Sequence, residues 1–118
     1  MERMAVEGLK FGPDGLIPAV IQQHDSRQVL MVGYMDATAL ERTLASGRVW
    51  LWSRSRREYW RKGDTSGNIQ VVKSVAADCD GDALLVQVDQ TGPACHTGAQ
   101  SCFDARQLPA GRLTDGIC

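Results

Sequence analysis

The chain has 118 residues, of which 43% are hydrophobic and 23% are charged, a length that predicts one domain, residues 1–118, with a modest core. Its 13 basic and 14 acidic residues nearly balance, which argues against a general nucleic-acid coat, and no apolar run approaches the ~20 residues that span a bilayer. The first residues have no apolar signal-peptide core, so we expect a cytoplasmic protein whose thiols stay reduced.

Apolar alternation and turn residues predict a chain that is mostly strand. Pro18 lies near the start of the first predicted strand, and because proline cannot donate to a ladder we expect this strand at a sheet edge. Because Trp50 and Trp52 alternate with Leu51 on a predicted strand, we expect the two tryptophans in the core, although tryptophan also stacks on bases. The predicted strands are residues 16–22, 28–35, 48–54, 69–77 and 83–89.

One short helix is predicted between the second and third strands. Asp36 is a suitable N-cap for a helix over Ala37–Ser46, and Gly47 is its natural stop. The tail from about residue 104 reads as irregular, and the chain lacks a βαβ rhythm. We therefore predict the α+β class, as a single strand-rich domain with one or two short helices.

A local basic patch stands out on this nearly neutral chain. Between Arg48 and Lys62 there are six basic residues and one acid, which suggests a small anionic substrate rather than a long polyanion. Gly63 and Gly67 let backbone N–H groups approach a phosphate closely, although no Walker A pattern is present and a solvated polar loop is the alternative. The candidate phosphate-binding residues are Arg54, Arg56, Lys62, Thr65, Ser66, Gly67 and Asn68.

Three carboxylates fall within residues 78–82, and three thiols fall within residues 79–102. If residues 78–82 are extended, their three aspartates share one face, and Cys79 points away from them. Clustered carboxylates favour a hard cation such as Mg²⁺, whereas thiolates favour Zn²⁺. A solvated turn is the alternative for the acidic segment. The candidate Mg²⁺ ligands are Asp78, Asp80 and Asp82.

The cysteines alone are a weak metal signal, because the spacing Cys-x15-Cys-x6-Cys is not a standard zinc-finger spacing and a lone cysteine is most often a small buried hydrophobe. His96 adjoins Cys95, so it is a candidate ligand or a candidate general base. Three thiolates and a water fill a tetrahedron, which favours the catalytic, base role. Cys118 lies in no motif and reads as a free thiol.

Taken together, five segments resemble the phosphoribosyl-AMP cyclohydrolase family. The resemblance covers residues 11–104, and its specificity is high because the segments match in order. Tyr59 stands where family members often have Leu, and Asp64 where they often have Glu; both departures are mild. The matching segments are residues 32–35, 52–56, 60–68, 78–85 and 95–103.

The resemblance implies a hydrolase that opens the N1–C6 bond of the adenine ring in N1-(5-phosphoribosyl)-AMP, a step of histidine biosynthesis that gives the phosphoribosylformimino-aminoimidazole carboxamide ribotide. It implies an intertwined homodimer that binds one Zn²⁺ per subunit through Cys95 and Cys102, with Cys79 supplied by the other subunit. It also implies Mg²⁺ on the three aspartates. The expected partners are the nucleotide substrate and a second copy of the chain, with no nucleic acid and no membrane.

Two alternative functions predict different residue patterns. A non-catalytic zinc-stabilised module that binds a nucleotide or an RNA end through residues 54–68 would have a closed site with four protein ligands. A purine deaminase would carry His-x-Glu and Pro-Cys-x-x-Cys, and neither pattern occurs in the chain.

Overall fold

A computed structural model describes residues 7–95, 97–104 and 106–109. It confirms the α+β class, since strands dominate and one α-helix is present in the described ranges. The elements in chain order are β1 (Ile17–Gln23), β2 (Val29–Met35), α1 (Ala37–Ser46), β3 (Trp50–Ser53), β4 (Glu58–Arg61), β5 (Gln70–Ala77), β6 (Leu84–Gln90) and a 3-10 turn (Cys102–Asp104).

Four strands form one sheet in the order β2-β1-β6-β5, in which β1 pairs antiparallel with β2 and parallel with β6. The expectation that β1 lies at an edge is therefore wrong. Pro18 is tolerated at this interior position because the ladder with β6 begins one residue later, at Ala19. Pro18 therefore has no partner in β6, and its missing N–H removes no hydrogen bond from the β1–β6 ladder.

The core lies between the inner face of this sheet and a cover made of α1 and the β3–β4 hairpin. Ile17, Ile21 and Val86 are fully buried on the inner face, and Leu51 of β3 packs against them. Gly33 lets β3 approach closely, because a Cβ at this position would lie 2.7 Å from a methyl group of Leu51. The hairpin is thereby held over β2.

The predicted helix is confirmed at both ends. The Asp36 carboxylate accepts a hydrogen bond from the Ala39 N–H at 2.8 Å, and the Gly47 N–H donates to the Thr43 carbonyl at 3.0 Å. The Thr43 hydroxyl is buried and accepts from the Trp50 N–H at 2.9 Å. The helix therefore fixes the start of the hairpin.

The hairpin differs from the sequence prediction in two respects. Residues 58–61, for which no strand was predicted, form the full partner strand of β3. Trp50 and Trp52 are half-buried, so their predicted core position is confirmed only in part, and the buried residue of this strand is Leu51 on the opposite face. The Trp52 and Tyr59 rings meet edge to face, with centroids 4.9 Å apart.

Candidate functional site

A cavity of about 670 Å³ opens between strand β4, the loop that follows it and the segment that carries two of the cysteines. Its walls combine soft ligands, aromatic rings and anion-binding groups. The residues that line the cavity include Cys95, Cys102, Trp60, Lys62, Thr65 and Ser66. The structure thus brings the predicted phosphate loop and two predicted zinc ligands to one space, although they are about 30 residues apart in the chain.

The two thiols in this cavity are neighbours with different environments. Cys95 and Cys102 both line this cavity, and each affects the pKa of the other. The Thr97 hydroxyl donates to the Cys95 sulfur at 3.1 Å and holds the pKa of the Cys95 thiol below its usual range. Burial raises the pKa of the Cys102 thiol. In the metal-free protein Cys95 is therefore the first of the pair to become a thiolate.

Lys62 is the buried cation of the site, with 8% of its surface exposed. Its ammonium group donates to the Ala94 carbonyl at 3.1 Å, directly before Cys95. Its positive charge acts to lower the pKa of both thiols. The sequence pattern assigned Lys62 to phosphate, and its burial beside the cysteines was not visible in that pattern.

Residues 63–68 form a closed, tight loop, as their composition suggested. It is closed by a hydrogen bond from the Gly67 N–H to the Gly63 carbonyl at 2.8 Å, and the Ser66 hydroxyl accepts from the Asn68 N–H at 3.1 Å. Within the described ranges, the N–H groups of Gly63, Thr65 and Ser66 have no protein acceptor. Three donors on one turn beside the cavity are suited to phosphate oxygens.

The predicted phosphate-binding arginines are divided between two places. Arg56 lines the cavity and pairs with Glu58 at 3.7 Å, on an exposed surface. Arg54 lies instead on an adjoining groove, with its guanidinium 3.9 Å from the centroid of the Tyr34 ring. This groove and the cavity share Trp60 as a lining residue, so the two spaces adjoin.

The acidic segment at residues 78–82 is a turn, so of the two alternatives for this segment the structure has the turn and not the extended chain. The Gly81 N–H donates to the Asp78 carbonyl at 3.0 Å, and the Asp82 N–H donates to the Asp78 carboxylate at 3.0 Å. The turn nonetheless gathers the three aspartates, since one carboxylate oxygen of each lies within 4.8 Å of those of the others. The carboxylates are brought together by the turn and not by strand alternation.

The charges on this turn influence one another. The Asp82 N–H bond lowers the pKa of Asp78. Asp82 shows the opposite direction, because its hydrogen bond with Asp78 and the nearby negative charge raise its pKa. All three side chains are exposed, so the cluster is open to solvent and to a cation.

Cys79 lies on this turn, exposed, at the start of β6, whereas Cys95 follows the end of β6. In the part of the chain that the structure describes, the three aspartates are the one group of three potential ligands gathered within 4.8 Å, so Cys79 is not brought to the other two cysteines. His96 and Cys118 lie outside the described residues.

A contact that the sequence did not suggest links the hairpin to the helix cap. The Tyr59 hydroxyl donates to the Asp36 carboxylate, and this bond raises the pKa of Tyr59. The Arg42 guanidinium lies 4.7 Å from the centroid of the Tyr59 ring. Tyr59, one of the two mild departures from the family pattern, thus has a defined structural role here.

Comparison with known proteins gives a consistent result. A family model described as phosphoribosyl-AMP cyclohydrolase matches residues 31–104. Proteins named phosphoribosyl-AMP cyclohydrolase are similar to this chain in Renibacterium salmoninarum (69% identical, covering 88% of this chain and 79% of the relative) and in Clavibacter michiganensis subsp. michiganensis (69%, 83% and 74%). A third, from Bifidobacterium longum, is 70% identical over 80% of this chain and 72% of the relative.

In the described ranges, no helix has the length and apolar character needed to cross a membrane.

Proposed function

Since the chain belongs to the phosphoribosyl-AMP cyclohydrolase family and is a hydrolase, we propose that it opens the adenine ring of N1-(5-phosphoribosyl)-AMP at the N1–C6 bond. The product is the phosphoribosylformimino-aminoimidazole carboxamide ribotide, in histidine biosynthesis. The reaction depends on Zn²⁺ and uses Mg²⁺. The location is cytoplasmic, where the thiols stay reduced.

The observation that carries this proposal is the shared cavity. One wall holds the thiols of Cys95 and Cys102, and another holds the free N–H groups of Gly63, Thr65 and Ser66. A nucleotide needs both an anchored phosphate and a base that reaches the reactive groups. A cavity of about 670 Å³ accommodates a ligand of nucleotide size.

The donor set fits zinc. Two neighbouring thiols, one with a lowered pKa, are soft ligands that bind as thiolates, and Lys62 offsets part of the negative charge that builds up there. Cys79 of a second subunit completes the set of three. When bound, Zn²⁺ supplies the Lewis acidity that makes a water nucleophilic near neutral pH.

The chain's own residues bind and orient the substrate. Trp60 lines the cavity and is the residue on which we expect the purine to stack, and the turn at residues 63–68 holds a phosphate through N–H and hydroxyl donors. Arg56 adds a positive charge at the mouth of the cavity. His96 accepts a proton from the attacking water and returns it to the ring nitrogen as the C–N bond breaks.

The acidic turn fits a hard cation of the Mg²⁺ type, because its three carboxylates are exposed and close together. Mg²⁺ usually combines one or two carboxylates with waters and phosphate oxygens, so the turn is suited to a second phosphate of the substrate. The turn lies at the opposite end of β6 from the cavity. In the proposed homodimer it is the partner's turn that serves each cavity.

The test is direct. The metal-loaded protein is incubated with phosphoribosyl-AMP, and ring opening is followed by the ultraviolet absorbance change. Cys95→Ser is expected to lose zinc and turnover together, while the control Cys118→Ser retains both. Nucleotide binding without any turnover in zinc-loaded protein would favour the non-catalytic module.

Subunit sharing has its own test. Cys79→Ser and Cys95→Ser are each expected to be inactive. After subunit exchange, a mixture of the two regains activity because one site of the heterodimer holds all three thiols. Proven heterodimers without recovery would contradict a shared site.

A further inference from the structure

We infer that Asp64 accepts a hydrogen bond from a ribose hydroxyl of the nucleotide, and that Arg48 and Arg61 are positioning residues that hold its carboxylate for this contact. The inference rests on the proposed function in one respect, namely that a ribonucleotide occupies the cavity of about 670 Å³. It adds a residue that recognises the sugar, whereas the contacts described above concern the base, the phosphates and the metals.

The first observation is the place of Asp64 on the cavity wall. It directly precedes Thr65 and Ser66, whose N–H groups are free for a phosphate, and it lines the same cavity as Trp60. The sugar of a nucleotide lies between the base and the 5′-phosphate, so it faces the wall that joins these two contacts. Among the described residues that line this cavity, Asp64 is the one carboxylate.

The second observation is that the charge of this carboxylate is balanced. A carboxylate beside a phosphate-binding turn would by itself repel the phosphate. Here the Arg61 Nε donates to the Asp64 Oδ1 at 2.7 Å, and the Arg48 Nη2 lies 3.6 Å from the same oxygen. Two guanidinium groups against one carboxylate leave a net positive charge, so an acceptor is present on this wall without loss of the anion site.

The third observation is that one oxygen of Asp64 is left over. Both arginine contacts use Oδ1, and in the described part of the chain Oδ2 has no hydrogen-bond partner. The side chain is 45% exposed, so a ligand can reach this oxygen. An ionised carboxylate can only accept hydrogen bonds, and its partner must therefore be a donor.

The chemistry of the nucleotide selects the ribose as that donor. Phosphate oxygens are acceptors, which leaves the amino group on C6 and the ribose hydroxyls. C6 is the atom that is attacked beside the cysteines, so its amino group belongs at the other wall. Carboxylates bind ribose hydroxyls in dinucleotide sites by the same contact.

Arg48 is held in its position at a cost in free energy. Its Nη2 also donates to the Lys62 carbonyl at 3.1 Å, while its Nε is buried and has no hydrogen-bond partner among the described residues. A buried N–H without an acceptor is destabilising, so this guanidinium is not placed for its own hydrogen bonding. Its contacts instead fix Lys62 and Asp64, on either side of Gly63.

The test measures binding to the zinc-loaded protein by calorimetry. The ligands are AMP and ribose 5-phosphate, each compared with its 2-deoxy and 3-deoxy forms; AMP represents the adenylate sugar, and ribose 5-phosphate represents the sugar on N1. We expect the wild type to bind one of the two parent ligands about 10-fold more tightly than a deoxy form, because the lost bond has a charged acceptor. In Asp64→Ala this ratio should fall to about 1.

Matched variants separate sugar recognition from a purely structural role. A carboxylate that only braced two arginines would, when removed, weaken all the ligands alike and leave the ratio unchanged. Asp64→Glu retains the carboxylate and should retain a ratio above 1, and Asp25→Ala, which removes an exposed acid from the β1–β2 turn, should keep the full ratio. Thermal unfolding checks folding, and Asp64→Asn replaces the alanine variant if the latter does not fold, with a smaller decrease of the ratio because its acceptor is neutral.

The positioning role of Arg48 has its own variants. Arg48→Met removes one of the two groups that hold Asp64, so the ratio should fall toward 1, and Arg48→Lys should restore part of it. An unchanged ratio in Arg48→Met would overturn the positioning role.

The outcomes separate the inference from the proposed function. A wild type that binds parent and deoxy ligands equally, or binds neither parent ligand, overturns the inference, as does a ratio that persists in Asp64→Ala. Ring opening of phosphoribosyl-AMP by the wild type is measured separately and is unaffected by those results. A wild type that shows the ratio but no ring opening retains sugar recognition and overturns the proposed reaction.

Discussion

Two glycines of the phosphate loop provide a matched pair of substitutions. Gly63 and Gly67 both have positive φ, at +97° and +78°, so alanine at either position is strained. At Gly67 an added Cβ meets nothing within 4 Å, whereas at Gly63 it would lie 2.6 Å from the Ile69 Cα and 2.8 Å from the Ile69 nitrogen. The Ile69 carbonyl is held by the Thr91 N–H at 2.9 Å, so this backbone cannot easily move away.

The expected magnitudes differ accordingly. Left-handed backbone costs alanine about 1–2 kcal/mol at either position. The backbone clash adds about 1–3 kcal/mol at Gly63 alone, as overpacking does. Unfolding entropy of about 2.1 cal/mol/K per residue gives roughly 0.25 kcal/mol/K for a chain of this length. Gly63→Ala should therefore melt roughly 4–12 °C below Gly67→Ala.

The assay is thermal and urea unfolding of zinc-loaded protein at one fixed concentration, together with steady-state kinetics. Gly63→Ala also moves the N–H donors of residues 63–66, so KM for the nucleotide should rise more than in Gly67→Ala. Equal stability of the two variants would refute the reasoning, because the close approach to Ile69 would then have no energetic consequence. A lower stability for Gly67→Ala would refute it as well.

Four further predictions concern the metal sites and the proton path. Thr97→Val removes the hydrogen bond to Cys95, so the pKa of this thiol rises and alkylation of the metal-free protein shifts to higher pH; an unchanged profile would contradict the assignment. Lys62→Met should weaken zinc binding about 10–100-fold in competition with a chelator, with partial recovery in Lys62→Arg, whereas a phosphate role alone would change KM and leave zinc affinity intact. Asp80→Asn should raise the Mg²⁺ concentration needed for turnover while zinc stays bound, and loss of zinc would reverse the two site assignments. His96→Ala should retain zinc and lose about 10²-fold or more in turnover, with a changed acidic limb of the pH–rate profile, and near-normal turnover would exclude it as the base.

Local signals in the sequence predicted local structure well. Asp36 and Gly47 set both ends of α1, because capping depends on residues a few positions apart. The predicted strands are present with ends that move by one or two residues. The predictions that were wrong are those in which pairing with a distant part of the chain overrides a local rule. Pro18 suggested an edge, but the ladder order that protects it depends on β6, about 65 residues away.

In the candidate site, too, the types of ligand were predictable from the sequence and their placement was not. The residue types of the acidic turn and the cysteines indicated two kinds of metal ligand without any knowledge of the fold. Their placement was not predictable, since the turn at Gly81 and the length of β6 decide which ligands meet. The burial of Lys62 also follows from packing against the segment that precedes Cys95, and a basic residue in a basic patch gives no local sign of it.

The parallel pairing of β1 with β6 has a consequence for how the chain folds as it is synthesised. Ala19 and Leu84 are partners across 65 residues, so the sheet closes only after nearly three-quarters of the chain has left the ribosome. Such distant pairing raises contact order and slows folding. Until then, the edge of β1 that β6 later covers is unpaired, and an unpaired strand edge is a site for aggregation. The cysteine segment emerges directly after β6, so metal capture can occur only once the strand that closes the sheet is available.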